Sequence, residues 1–185
     1  MNLNKLLVID IETTGFNHKA DCILELGIVE LDLTSGEVTE LLDVQLKETH
    51  LSAKQHNSWI FEKGFMSHDD VRNANPLAVH FEEIQTIFNG YLGRISAWNR
   101  AFDADFLERR GFNLGKAIKD PMKESAEFFN LPHKSGGFGK WPSAQEAWNI
   151  LFPTTEKIEI HRGLDDAKME AKIIFELINK GIYKV

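Results

Sequence analysis

Residues 6–15 read LLVIDIETTG, an apolar run that ends in two acidic residues spaced two apart. The run predicts a buried central strand at residues 5–11. Alternate residues of a strand point to the same face, so Asp10 and Glu12 would place two carboxylates side by side. At about 4 Å and an effective dielectric near 20, such a pair repels by roughly 4 kcal/mol. The sequence therefore predicts that something neutralises the pair or that the strand ends before it.

The composition is that of an ordinary globular protein. The chain has 185 residues, 43% of them hydrophobic and 26% charged, and this length favours a single domain over residues 1–185. A net charge of −7 counts against a strongly basic surface that grips long duplex nucleic acid, but not against binding of a short end. The single cysteine, Cys22, excludes an internal disulfide and a cysteine-built metal site. Because no stretch resembles a signal peptide or a membrane span, we expect a cytoplasmic protein.

The order of predicted elements indicates an α/β domain. A stretch at 23–33, which is mostly apolar at its start and alternates from Val29, and an extended run to about residue 46 follow the first strand; together they predict a three-stranded meander. Helical spacing over 79–88, a short strand at 94–98 and a helix from near 103 come next. A capping box at Ser143 predicts a further helix, and the last helix covers 164–178. We expect a mixed sheet flanked by helices.

Three acidic stretches lie at the edges of these elements: residues 10–12, 99–103 and 161–166. Each alone has a structural explanation, because acids at strand ends are commonly solvated, an Asp at a helix start is commonly a cap, and a His there is commonly structural. Their joint occurrence in this order favours a shared site.

In these stretches the chain resembles the DEDDh 3′–5′ exonucleases, which include the proofreading subunit of bacterial replicative DNA polymerase, ribonuclease T and oligoribonuclease. The family motifs stand here as Asp10-Ile11-Glu12-Thr13-Thr14-Gly15, as Asn99 to Leu107 with Asp103, and as His161-Arg162-Gly163-Leu164-Asp165-Asp166. The five expected side chains are all present, and the resemblance spans residues 6 to about 178. It implies a ribonuclease H-like mixed sheet, with the three-stranded meander and further strands, flanked by α-helices.

The resemblance implies metal-dependent hydrolysis of phosphodiester bonds at nucleic acid 3′ ends, with release of nucleoside 5′-monophosphates. Asp10, Glu12, Asp103 and Asp166 would hold two divalent ions, Mg²⁺ or Mn²⁺, which take oxygen ligands and would offset the repulsion between the acids. Asp10 would bridge both ions, Glu12 and Asp166 would hold the ion that binds the attacking water, and Asp103 would help to hold the second. His161 would be the general base.

Asp165 lies next to Asp166, about 100° around the helix, so both cannot face one metal ion. The family spacing from His161 selects Asp166.

The resemblance also implies substrate contacts. The backbone of Thr13 would touch the terminal 3′-hydroxyl, and we expect Asn99 of the second motif to contact the substrate. Phe16 would wedge against the last bases, although a core residue that covers the strand end is an equal alternative. Residues 65–68 would form the other wall of the pocket by a weaker analogy. The stretch 94–119, with a net charge of +3, is a candidate path for the substrate backbone, with solvated cations as the default interpretation.

Two residues depart from the family pattern. Trp98 precedes the second-motif Asn where the family often has His, which bears on the shape of the substrate pocket. Gly163 stands where the family usually has Ala, and its flexibility could loosen the loop that carries His161.

Two alternative functions stay open at this point. A phosphatase of the haloacid dehalogenase class also begins with a strand that ends in acids and a Thr, but it wants a second Asp in place of Glu12. A catalytically silent domain of the same fold would bind nucleic-acid ends or a partner without cutting. The sequence does not choose between DNA and RNA. Several relatives form homodimers, which nothing here decides, and no tail after the last helix supports association with a polymerase.

Overall fold

The structure is a computed structural model that describes residues 3–48 and 51–185. Its strands are β1 (Lys5–Thr13), β2 (Ile23–Asp32), β3 (Val38–Lys47), β4 (Asn75–Pro76), β5 (Ile95–Ser96), β6 (Leu131–Pro132) and β7 (Phe138–Lys140). Its helices are α1 (Ala53–His56), α2 (Trp59–Glu62), α3 (His68–Asn73), α4 (Leu77–Gly90), α5 (Arg100–Arg109), α6 (Pro121–Glu124), α7 (Ala126–Phe129), α8 (Ala144–Leu151) and α9 (Gly163–Asn179). None of the helices in the described ranges is long and apolar enough to cross a membrane.

The main sheet has five strands in the order β4-β3-β2-β1-β5. The first three strands form the predicted antiparallel meander, and β4 and β5 each add a short parallel pairing at one edge. The sheet is therefore mixed, as the sequence predicted. Strands β6 and β7 form a separate two-stranded hairpin that the sequence did not predict.

The two faces of β1 pack against different helices. Leu6 and Val8 belong to the core shared with α8 and α9, whereas Leu7, Ile9 and Ile11 belong to the core shared with α4 and α5. Side chains two apart share a face, so the line that begins with Leu6 and Val8 continues through Asp10 and Glu12 toward α9. The strand runs to Thr13 and does not end before its acids. Of the two possibilities that the sequence offered, the remaining one is that the negative charges of Asp10 and Glu12 are neutralised.

The start of α9 lies directly against β2. A β-carbon on Gly27 would come within 2.2 Å of the carbonyl carbon of Gly163, and one on Gly163 would come within 2.8 Å of the Gly27 nitrogen. Two residues without side chains therefore allow the helix to approach the sheet closely. Gly163 is packed against the backbone of β1 and β2, which counts against the expectation that it loosens this loop.

The strand predicted at 94–98 is shorter, and the helix after it begins earlier. Asn99 has a left-handed backbone, with φ of 62°, which turns the chain from β5 into α5 at Arg100. Trp98 is buried: its backbone N–H donates to Glu170 and its indole N–H donates to the carbonyl of Pro142. Trp98 therefore belongs to the core, and it does not shape a pocket wall directly.

Candidate active site

The acids of β1 meet the start of α9. Burial is the main cause that raises the pKa of Asp10 well above its usual value, and Glu170 and Asp103 add to it. Burial also raises the pKa of Glu12, to about 8, with Asp166 as the largest contribution from a charge. The protein thus places carboxylates where their ionised forms are disfavoured in the absence of a cation.

His161 and Asp166 enter from the other side, at the beginning of α9. One ligand atom from each of Glu12, His161 and Asp166 can be chosen so that all of them lie within 4.8 Å of one another. Burial, followed by the charge of Glu159, raises the pKa of Asp166 to about 6. Burial lowers the pKa of His161, against an opposing effect of Asp166. It is Asp166, and not its neighbour Asp165, that lines the cavity beside His161.

Asp103 reaches the same region from α5. Its Oδ1 accepts the backbone N–H of Ile11 at 3.2 Å. The pairing of β5 with β1 ends at Ser96, opposite Val8, which leaves the N–H of Ile11 on that edge free to bond a side chain. Burial raises the pKa of Asp103 as well. The side chains of all five motif residues are therefore gathered at the end of β1 from three distant segments.

The donor set fits a hard divalent cation. Asp166 Oδ2 accepts the N–H of Arg162, but its buried Oδ1 has no hydrogen-bond partner among the residues that the structure describes. Over the same residues, the ion pairs of Lys and Arg are made with other acids. Clustered carboxylates with a buried oxygen left over are the ligands that Mg²⁺ and Mn²⁺ prefer.

A cavity of about 520 Å³ opens beside these acids. Its other walls are largely apolar, formed by Phe16, Trp59, Ile60 and Phe102. Phe16 is 92% exposed, which is against the alternative that it covers the core, and its ring lies 6.2 Å from that of Phe102. Thr13 also lines the cavity. The predicted substrate contacts Thr13 and Phe16 thus border the acidic site.

Other predicted contacts lie elsewhere. Asn99 is not among the residues that line the cavity. In the segment 65–68, Phe65 packs its ring 4.4 Å from the ring of His161, Met66 is buried in a small core, and His68 stacks on Phe61. Of these three residues, only Phe65 is therefore in ring contact with a motif residue, His161.

The basic stretch at 94–119 is largely occupied with structural bonds. Arg94 donates to the carbonyl of Lys5, and the buried Arg100 donates to the carbonyl of Ile95. Arg110 pairs with Glu48, and Lys119 pairs with Glu124. These contacts favour the structural interpretation of the net charge over a path for the substrate.

Sequence reasoning missed four residues of the site. Trp59 packs its ring 4.8 Å from that of His161, but it lies in a four-residue helix that carries no motif. Phe102 immediately precedes Asp103, so its place inside the second motif was an available signal. Glu159 lines the cavity two residues before His161, and Glu170 lies buried one turn beyond Asp166. An acid at helical spacing from a predicted ligand was the signal for Glu170.

The RNase_T family model, described as Exonuclease, matches residues 7–174. The curated protein DNA polymerase III PolC-type of Clostridium perfringens (strain 13 / Type A) is 26% identical over 193 residues, and the match covers 92% of this chain. The chain spans only 11% of the length of that polymerase.

Solved structures share the fold. The nuclease domain of 3′hExo, described as a DEDDh family member bound to rAMP, has a TM-score of 0.70 at 18% identity, with 96% of this chain and 93% of that chain covered. E. coli exonuclease I in complex with a dA16 oligonucleotide has a TM-score of 0.68 at 12% identity, with 95% and 41% covered. The predicted ribonuclease H-like fold is thereby confirmed.

Proposed function

The chain belongs to the exonuclease family, as its DEDDh motifs predicted, and we propose that it is a metal-dependent enzyme that removes nucleotides from nucleic acid 3′ ends as nucleoside 5′-monophosphates. The main observation behind this proposal is the meeting of Glu12, His161 and Asp166 within 4.8 Å at the wall of an open cavity. Asp10 and Asp103 complete the acidic group. The phosphatase alternative gains no support from the family match.

Asp10, Glu12, Asp103 and Asp166 are the residues that would hold the metal. Two bound divalent ions, Mg²⁺ or Mn²⁺, would supply the positive charge that stabilises the attacking and leaving oxygens of the phosphodiester. Two observations support this use: Oδ1 of Asp166 has no hydrogen-bond partner among the described residues, and the pKa values of Glu12 and Asp166 are raised. Both are features of carboxylates whose negative charge is not compensated by a neighbouring cation.

His161 is proposed as the base that takes a proton from water onto a ring nitrogen. Burial lowers its pKa, so the imidazole is neutral at neutral pH and able to accept a proton. The rings of Trp59 and Phe65 contact the imidazole at centroid distances of 4.8 and 4.4 Å, which restricts its orientation. The negative charge of Asp166 would stabilise the imidazolium once the proton has arrived.

The apolar walls of the cavity are proposed to hold the terminal nucleotides. Phe16, Trp59 and Phe102 offer aromatic surface for stacking, which tolerates every base and contributes roughly 1–3 kcal/mol per base. Thr13 would contact the terminal sugar through its backbone. Among the structural neighbours, 3′hExo is described with rAMP and exonuclease I with a deoxyoligonucleotide, so the shared fold is compatible with either sugar.

The test is nucleotide release from matched single-stranded DNA and RNA oligomers in Mg²⁺ or Mn²⁺, with EDTA as a control. We expect shortening from the 3′ end, with nucleoside 5′-monophosphates as the product. Asp10→Asn should abolish release with the fold intact, and His161→Ala should slow it by a factor on the order of 10² or more. Asp165→Asn, one residue from the proposed ligand Asp166, is the matched control and should keep normal turnover. If neither DNA nor RNA is shortened, the proposal fails.

A further inference from the structure

The backbone of His161 is strained. Its φ of 55° lies in the left-handed region, which a residue with a side chain adopts only when its surroundings impose that conformation. His161 lies between residues 157–160, which form neither helix nor strand, and the start of α9. Some contact must therefore hold the loop in this conformation.

An ion pair on the next residue supplies such a contact. The guanidinium of Arg162 donates to both carboxylate oxygens of Glu25, from Nη2 at 2.7 Å and from Nε at 2.9 and 3.1 Å. The side chain of Glu25 is only 1% exposed. Its carboxylate also lies 3.4 Å from the backbone nitrogen of Gly163, in reach of that N–H. One buried carboxylate on β2 thus binds the two residues that follow His161.

The same carboxylate lies beside the proposed metal ligands. Glu25 is directly opposite Glu12 in the pairing of β1 with β2. Opposed residues of antiparallel strands have their side chains on one face, so Glu25 would add another negative charge next to Glu12. Its bidentate bond to Arg162 compensates that charge, and the carboxylate remains available for a structural role.

We propose that Glu25 and Arg162 are a positioning pair that fixes the backbone of residues 161–163 and so aims the ring of His161 at the site. The inference rests on the proposed function of His161. Neither residue touches the reacting atoms in this assignment. The pair acts through the loop. Glu25 is held in place by the central sheet, and its bidentate bond to the planar guanidinium fixes Arg162, the residue next to His161.

The kinetic test uses Glu25→Gln, Arg162→Met and the double variant in the nucleotide-release assay. A misaligned base should lower kcat by a factor on the order of 10², with KM within about twofold. The double variant should lose no more than the worse single variant, because each change removes the same pair. Arg162→Lys, which keeps the charge but loses the bidentate bond, should fall between wild type and Arg162→Met.

The matched control is Glu40→Gln, which breaks the ion pair between Lys168 of α9 and Glu40 of β3. This ion pair joins the same helix to the sheet at a place away from His161. The kcat of Glu40→Gln should therefore stay at the wild-type value. Losses that multiply in the double variant of Glu25 and Arg162, or a kcat unchanged by either single substitution, would overturn the proposal.

Amide hydrogen exchange tests the pair without any turnover. In Glu25→Gln and Arg162→Met, the hydrogen-bonded amides of Arg162 and Gly163 should exchange at least tenfold faster, while those of Ile173 and Ile174 in the buried part of α9 stay as in wild type. Uniform acceleration along α9 would mean general destabilisation and would count against a local role, as would unchanged exchange at Arg162 and Gly163. If wild type releases no nucleotide, the proposed function fails, but this measurement still decides whether the pair orders the loop.

Discussion

Replacing Asp166 with Asn should stabilise the metal-free protein while it destroys the proposed metal site. The pKa of Asp166 rises from 3.8 to about 6 on folding, with burial as the first cause and the charge of Glu159 as the second. Asp166 is 4% exposed, so solvent screens its carboxylate little. Such a rise corresponds to about 3 kcal/mol of stability lost when the group is fully ionised.

The sign follows from which state keeps its proton. A raised pKa means that the folded protein holds the proton more tightly than the unfolded chain, so the folded state loses stability as the pH rises from 3.8 to about 6. Above that range the loss is complete, and below it the loss is absent. Asn carries no charge at any pH, and its amide oxygen can still accept the N–H of Arg162. The variant should therefore gain up to about 3 kcal/mol near pH 7.5 and little near pH 3.

Urea unfolding in EDTA at the two pH values measures this difference directly. Added Mg²⁺ should stabilise wild type, since a cation that binds only the folded state raises its stability, and should have a weaker effect on the variant. An Asp166→Asn protein that is no more stable than wild type at pH 7.5 in EDTA would refute the electrostatic description of the site.

Three further predictions use other parts of the molecule. Because Glu12 has a pKa of about 8 in the metal-free site, the Mg²⁺ concentration for half-maximal activity should rise as the pH falls below that value. Mg²⁺ titrations of activity at a series of pH values measure this concentration, and a value that does not change with pH would contradict the prediction. Gly163→Ala should lower the melting temperature, because its β-carbon would lie 2.8 Å from a backbone nitrogen of β2. A β-carbon at Gly90 would meet no atom within 4 Å, so Gly90→Ala should leave the melting temperature unchanged. Equal melting temperatures for the two variants would contradict the prediction. Phe16→Ala should raise KM for oligonucleotides by about tenfold, because it removes a stacking contribution of roughly 1–3 kcal/mol. Phe128 is also an exposed phenylalanine, and Phe128→Ala should leave the steady-state kinetics unchanged. Similar KM values for the two variants would count against a stacking role of Phe16.

Much of the fold and of the site could be predicted from local pattern. The apolar run before Asp10 predicted the central strand, and helical spacing after residue 164 predicted α9, because periodicity reports which face of an element is buried. The identity of the acids followed from three short motifs. The place of Trp59 could not be predicted in this way. Its helix has four residues, and its neighbour Ile60 anchors it in a small core with Leu24 of a distant strand.

The chemistry was thus determined by the sequence, and its arrangement by the tertiary structure. Residue types and spacings predicted an acidic site with a histidine, which we propose holds metal ions, since these features depend on composition along a short stretch. Three facts required packing between distant segments: the exposure of Phe16, the close contact of Gly27 with Gly163, and the pairing of Glu25 with Arg162. Contacts of this kind leave no periodic signal in a single sequence, because each depends on where two elements meet and not on how either one repeats.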